Sequence, residues 1–216
     1  PVIAPNASIA FMGPPCSGKS SLCMDMVLEK IDDVPVVYFV LDRPIHVIMN
    51  NISSRKERAI RNLKIIDGYS WLSGRTAARD DRVVVIESLN SPSDISVAVS
   101  STICQTGERG LFVLDSFSNI LNYINEDLAF KLLNTMIARL KENDYWSVIV
   151  FEEGIHSAQF YNKVRHIVDC VVEFKMGADE IDDPQLLKRY FRVLVYRYGE
   201  YDSRWQLLKR LKVMND

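Results

Sequence analysis

The chain has 216 residues, 48% of them hydrophobic, enough for one ordinary α/β unit with a sizeable core. Charged residues make up 25% and the net charge is −2, which argues against a nucleic-acid binder driven by bulk positive charge and leaves room only for a local basic patch. No apolar run reaches about 18 residues, so no membrane span is expected.

In chain order, "SIAFMG" (Ser8 to Gly13) reads as a short strand ending in glycine. "SSLCMDMVLEKI" follows with Leu22, Cys23, Met26, Val27 and Ile31 at helical spacing. "VPVVYFVLD" (Val34 to Asp42) is a continuous β-branched and aromatic run, as a strand buried on both faces requires. Pro44 suits the first turn of a helix through "IHVIMNNI". "LKIID" (Leu63 to Asp67) and "RVVVIES" (Arg82 to Ser88) read as strands, and "SPSDISVAVSSTICQT" as a capped helix. "GLFVLDS" (Gly110 to Ser116) is another buried strand. Asn125 to Asn143 is the clearest amphipathic helix, with Leu128, Leu132, Leu133, Met136, Ile137 and Leu140 on one stripe. "WSVIVFEE" gives a strand, and "CVVEFKM" and "RYFRVLVYRYG" a final antiparallel pair joined by the acidic loop "GADEIDDPQ".

Strands alternating with helices imply an α/β fold, a mostly parallel sheet covered on both faces, in one domain spanning 1–216. Ligands of such sheets bind beyond the carboxyl ends of the strands. Asp42, Asp67, Glu87, Asp115 and Glu152 all fall at such ends.

The stretch "GPPCSGKS" fits G-x-x-x-x-G-K-[ST] between a strand and a helix, the context a phosphate-binding loop needs. Successive backbone N–H groups and the helix N-terminus would hold phosphate oxygens. The expected nucleotide-binding residues are Gly13, Pro14, Pro15, Cys16, Ser17, Gly18, Lys19, Ser20 and Ser21. Lys19 would neutralise the β- and γ-phosphates, and Ser20 would ligand Mg²⁺. Asp115 closes a run of four apolar residues in the manner of a Walker B strand and is the second expected metal residue. Its place far along the chain leaves room for strands between the cradle strand and its own.

Four cysteines, Cys16, Cys23, Cys104 and Cys170, lack C-x-x-C spacing, so zinc is not expected. Three of them lie in apolar runs and are expected to be buried, reduced thiols of a cytoplasmic protein. No signal-peptide pattern is expected, and the start at Pro1 leaves room for a short missing N-terminal piece.

The cradle, "DGYSW", "LFVLDS", "VRHIVDCVVEF" and the closing "RYFRVLVYRYG…W" together resemble the RecA superfamily, specifically the KaiC-like ATPases common in archaea. The resemblance spans nearly the whole chain. It implies a RecA-like P-loop NTPase fold, Mg-ATP as ligand, and assembly into homo-oligomeric rings, hexameric in form, with nucleotide between subunits.

Two stretches depart from that family's pattern. Where the family carries a glutamate pair before a proline, one glutamate polarising the attacking water, this chain has Leu41 and Asp42, with Arg43 before Pro44. Asp42 is one methylene shorter than glutamate, and a misplacement near 1 Å costs about a hundredfold in rate. Asp42 is therefore read either as the base or as half of an ion pair with Arg43. Where the family carries Lys-x-Arg-Gly reaching a neighbouring subunit, this chain has "YRYG": Tyr196 and Tyr198 replace the basic residues and Arg197 is out of step. In "FEEGIH", Glu152 and Glu153 end a strand where RecA-like proteins sense the γ-phosphate, and only one of them can face the site. Asp42 and Glu153 are the expected catalytic acids.

The reading that follows is an ATP-binding regulator with slow or weak hydrolysis, acting through oligomerisation or a protein partner. A competent ATPase motor using Asp42 or Glu153 is the alternative. A small-molecule P-loop kinase is another, with "LDRP" as a substrate pair and "SGRTAARDDR" as a basic lid. Recombinase-like DNA binding ranks last, because the charge is near neutral.

Overall fold

The β-branched and aromatic runs become strands buried on both faces, and the segments with 3.6-residue spacing become the helices that cover them. The computed structural model describes residues 4, 6–74, 80–179 and 183–208. The centre of the lid-like stretch (75–79) and the tip of the acidic loop (180–182) lie outside the described residues. In chain order, β1 (Ser8–Gly13) leads into α1 (Lys19–Lys30), and β2 (Val36–Val40) into α2 (Ile45–Lys56) and a 3-10 turn (Glu57–Asn62). Next come β3 (Leu63–Asp67), α3 (Tyr69–Ser73), β4 (Val83–Val85), α4 (Pro92–Thr106), β5 (Leu111–Asp115) and α5 (Phe117–Ile120). The chain continues through α6 (Glu126–Glu142), β6 (Trp146–Glu152), α7 (Ala158–Ile167), β7 (Cys170–Asp179), β8 (Asp183–Tyr196) and β9 (Gln206–Leu207).

The strands form a nine-stranded sheet in the order β4-β3-β2-β5-β6-β1-β7-β8-β9. Pairing is parallel from β4 through β7, and β8 and β9 are antiparallel. The mostly parallel sheet with an antiparallel C-terminal pair is therefore present. One strand does separate the cradle strand β1 from β5, but it is β6, from later in the chain; β2, β3 and β4 lie on the far side of β5.

Side chains alternate across each strand, so each inner strand feeds two cores. Ala10, Met12, Phe39 and Phe112 pack with Ile95 and Val99 of α4, Leu133 and Met136 of α6, and Phe160 and Val164 of α7. Ile9, Phe11, Tyr38 and Val113 pack with Cys23 and Val27 of α1 and Ile48 and Ile52 of α2. The cradle thus hangs between two packed layers.

Asp169, at the junction of α7 and β7, ties four segments together. It is 4% exposed. Its carboxylate accepts hydrogen bonds from the Ser8 backbone N–H at 2.9 Å, Ser8 Oγ at 2.7 Å and Tyr198 Oη at 3.0 Å, and pairs with Lys141 Nζ at 2.6 Å. Burial alone would raise its pKa, but the hydrogen bonds from Lys141 and Ser8 outweigh burial and hold the carboxyl below its usual range.

Several elements differ from the sequence reading. β4 is three residues, not the run Arg82–Ser88: it pairs only with β3, at the sheet edge, and Glu87 is exposed beyond it. α7 was not read at all, although Ser157 caps it by accepting from Phe160 N at 3.1 Å and Phe160, Tyr161 and Val164 form its buried face. The thiol expectation needs correction at one position. Cys23 and Cys170 are buried, but Cys104 is exposed on the outer side of α4, as Cys16 is in the cradle. Trp71 packs edge-on against Tyr123, 5.1 Å between ring centres, beside the core.

Candidate functional site

Gly13 ends β1 against the next strand, and any side chain there would meet the backbone: an added Cβ would lie 2.6 Å from the Phe174 carbonyl oxygen. The chain then leaves the sheet, with Cys16 at φ 62° and Gly18 at φ 100°, so that the loop curls back on itself and α1 starts at Lys19. Gly18 also has a close neighbour from the far end of the chain. A Cβ built on it would sit 2.4 Å from a Leu208 methyl, and Leu208 N donates to Arg189 O at 2.8 Å. Trp205, just before β9, lies between Lys175 (4.4 Å from its ring centre) and Arg192 (4.6 Å), which fixes this segment to β7 and β8.

Lys19 is 3% exposed. Its ammonium donates to the carbonyls of Gly13 at 2.8 Å and Pro14 at 2.6 Å, and to Glu152 Oε2 at 3.1 Å. Of the two consecutive acids at the end of β6, Glu152 is the one turned to the lysine. Its backbone N–H donates to Ser118 Oγ at 2.9 Å, which aligns the strand end. Glu153, expected as a catalytic acid, has an exposed side chain, and only its backbone N–H, on Gly13 O at 3.0 Å, touches the cradle. Pro15 and Ser21 are also exposed, whereas Ser17 is buried.

Asp115, 1% exposed, sits at the end of β5 where the sequence placed it. Ser20 Oγ donates to its Oδ1 at 3.1 Å, and Tyr38 Oη to its Oδ2 at 3.0 Å. Burial and the nearby Asp42 charge raise its pKa, offset by Arg43 and the two hydroxyl donors. Ser20 and Asp115 are hard oxygen donors brought together at one spot, and the adjoining Ser116 Oγ is buried with no hydrogen-bond partner among the described residues. This donor set fits Mg²⁺ with water-mediated contacts. Tyr38 escaped the sequence reading: in an apolar run a tyrosine reads as bulk, and only the pairing of β2 with β5 brings its hydroxyl to Asp115.

β2 ends one step from Asp115, with Leu41 N donating to Asp115 O at 3.1 Å. Leu41 is 1% exposed and belongs to the core. Asp42 forms an ion pair with its neighbour: Arg43 Nε donates to Oδ1 at 2.8 Å and Arg43 Nη2 to Oδ2. The same Nη2 lies 3.7 Å from Asp115 Oδ2. The bond to Asp42 raises the guanidinium pKa further.

The "YRYG" stretch is occupied within its own chain. Arg197 donates to the His166 carbonyl, its backbone N–H to Asp169 O at 3.0 Å, and Tyr198 Oη to Asp169. β8 carries a register shift opposite Val171 and Val172, yet Arg197 still folds back onto α7. His156 and His166 do not join the cradle: His156 lies against the Phe160 and Tyr161 rings, and His166 is exposed at the end of α7.

A glycine-rich cradle between strand and helix, a Walker B aspartate one strand removed, and a parallel sheet closed by an antiparallel pair define a P-loop NTPase of RecA type. A family model described as "ATPase: KaiC" matches residues 3–208, and the chain belongs to that family. Nucleotide binding is established at this family level. No curated protein matches. Among solved structures, a KaiC-like protein from the hyperthermophilic archaeon Pyrococcus horikoshii superposes with TM-score 0.72 at 14% identity, covering 95% of this chain and 86% of that one. An uncharacterised protein from Pyrococcus horikoshii, solved with an unknown peptide, superposes with TM-score 0.70 at 16% identity, covering 95% and 92%. Both likenesses concern the fold. Among the described residues no helix is long and apolar enough to cross a membrane.

Proposed function

We propose that the chain, as a single nucleotide-binding domain, takes up Mg-ATP in the cradle Gly13 to Ser21 and acts as a nucleotide-state regulator with slow or weak hydrolysis. The observation that carries the reading is the state of Asp42: both of its oxygens are engaged by Arg43. The guanidinium fork occupies both oxygens, so an attacking water would have to displace or share one of those contacts. Buried Leu41 supplies no second acid. Ser20 and Asp115 are the residues that would hold Mg²⁺, which when bound would offset the phosphate charge. With Tyr196 and Tyr198 in place of basic residues, a neighbouring subunit has little to add to the γ-phosphate. The free cysteines support a cytoplasmic setting, and the family supports a homo-oligomer, a hexameric ring among the forms it could take, or a protein partner.

A competent ATPase is the second reading, favoured by Glu152, the acid that β6 turns onto Lys19. One experiment separates them: ATP binding and phosphate release measured on the same sample, with Lys19→Ala as control. The regulator binds ATP and releases phosphate far below about 1 s⁻¹; turnover above that rate overturns it. Release that requires an added small acceptor assigns a kinase instead. The oligomer is tested by gel filtration: a larger species with ATP than without is expected, and a monomer under all conditions refutes it.

A further inference from the structure

An ammonium has three N–H donors, and those of Lys19 meet three close acceptors: the Gly13 carbonyl, the Pro14 carbonyl and Glu152 Oε2 at 3.1 Å. Glu152 is its anionic partner among the described residues. The ammonium is buried, so a phosphate gains it only by sharing or displacing one of the three. Glu152 is well placed to contest it. Its backbone N–H donates to Ser118 Oγ, its carbonyl accepts from Tyr161 Oη, and the register Gly13↔Glu152 brings it level with the start of the loop. β6 lies between β1 and β5, so Glu152 stands between the loop and the strand that ends in Asp115. In a phosphate-binding loop the last phosphate of a triphosphate reaches past the backbone N–H groups to the lysine and the metal residues. A carboxylate therefore faces the place of the γ-phosphate.

We propose that Glu152 is a specificity-determining residue that weakens nucleoside triphosphate relative to diphosphate, so that the site reads the ratio of ATP to ADP rather than ATP alone. This rests on the nucleotide-binding reading above and deepens it, because a nucleotide-state regulator needs a site that either nucleotide can win. A phosphate oxygen that takes a charge-assisted bond of about 2.8 Å from the Lys19 ammonium comes within about 6 Å of Glu152 Oε2. The carboxylate is 27% exposed, so the repulsion is partly screened. At an effective dielectric between those of a protein surface and water, each added phosphate charge at that distance costs about tenfold in affinity. ADP, one phosphate shorter, places less charge there and leaves more of Lys19 to Glu152.

The test is calorimetric titration of ADP and of a non-hydrolysable imido analogue of ATP, each with excess Mg²⁺, into wild type, Glu152→Gln and Glu153→Gln. Wild type is expected to bind ADP at least as tightly as the analogue. Glu152→Gln should gain about tenfold for the analogue and less than about threefold for ADP. Glu153→Gln removes the same charge from an exposed side chain one residue on, and should move the ratio of the two affinities by less than about threefold. An equal change or none for the two ligands in Glu152→Gln, a loss of analogue affinity there, or as large a shift in Glu153→Gln overturns the role of Glu152 and leaves nucleotide binding standing. Absence of binding of either ligand by wild type overturns nucleotide binding itself. Should Glu152→Gln fold poorly, as its circular dichroism would reveal, wild type alone decides: an analogue bound more tightly than ADP overturns the role.

Discussion

Asp169→Asn removes a charge from a junction where four segments meet. The substitution keeps the volume and one acceptor but turns an NH₂ group toward donors. The buried Ser8 backbone N–H and the Ser8 hydroxyl both end on Oδ2, and Tyr198 on Oδ1, so one orientation or the other leaves a donor facing a donor. An unpaired buried donor costs about 1–3 kcal/mol, and a hydrogen bond to a charged group contributes about 1.5–3. Lys141 is one-third exposed and can turn to water, so its share is discounted to below about 1 kcal/mol. The sum worth expecting is about 3 kcal/mol, or a drop in Tm of about 6–12 °C for a chain of this length. Thermal melts by circular dichroism at about pH 7 measure it. The pH arm follows from linkage. The folded-state pKa of Asp169 lies below its unfolded value, so its stabilisation is present above the unfolded pKa, about 3.9, and is lost as the pH falls through the folded one. The gap between wild type and Asp169→Asn should therefore close on acidification below about pH 4. A variant that melts within about 1 °C of wild type at neutral pH, or a gap that does not narrow in acid, would refute the reasoning.

Introducing a glutamate by Leu41→Glu should destabilise the fold rather than supply a base. Leu41 is buried in the core with its methyl against Gly68, so the variant should lose about 3 kcal/mol or more in urea denaturation. Gly13→Ala forces a methyl into the Phe174 carbonyl and should lower Tm by several degrees, about 2–4 °C for each kcal/mol of strain. Tyr38→Phe leaves the Asp115 carboxylate one donor short in the core and should cost about 1–2 kcal/mol, read as a shifted urea midpoint at unchanged slope. His156 has a pKa lowered by burial, offset in part by Glu126, so the folded state binds its proton less well than the unfolded chain. Stability should decline as the pH falls below about 6.5, and His156→Gln should flatten that decline in melts between about pH 7 and 5.

The parts of this molecule legible in the sequence are those with local causes. The cradle follows from glycines where the backbone must turn and a lysine at the helix start. Asp115 follows from an acid after an apolar run, since a charge in a buried strand can stand only at its end. The order of strands is written less directly: that β6 slips between β1 and β5 depends on pairing between segments far apart. Parity decided the acids of β6. Only one of Glu152 and Glu153 could face the cradle, and the register Gly13↔Glu152 makes it Glu152. Tyr38 and Asp169 became visible only through tertiary contact, because each draws its meaning from groups brought by other strands. α7 had its signal, a serine cap and a periodic apolar face, in a stretch dominated by polar residues.

Leu208 rests on Gly18, at the opposite end of the chain from the phosphate loop. If loading the cradle moves Gly18, linkage requires that the cradle and β9 bias each other by the same factor. A weight hung on the tail, whether a fused domain or a bound partner, would thus be felt at the phosphate, and the phosphate at the tail.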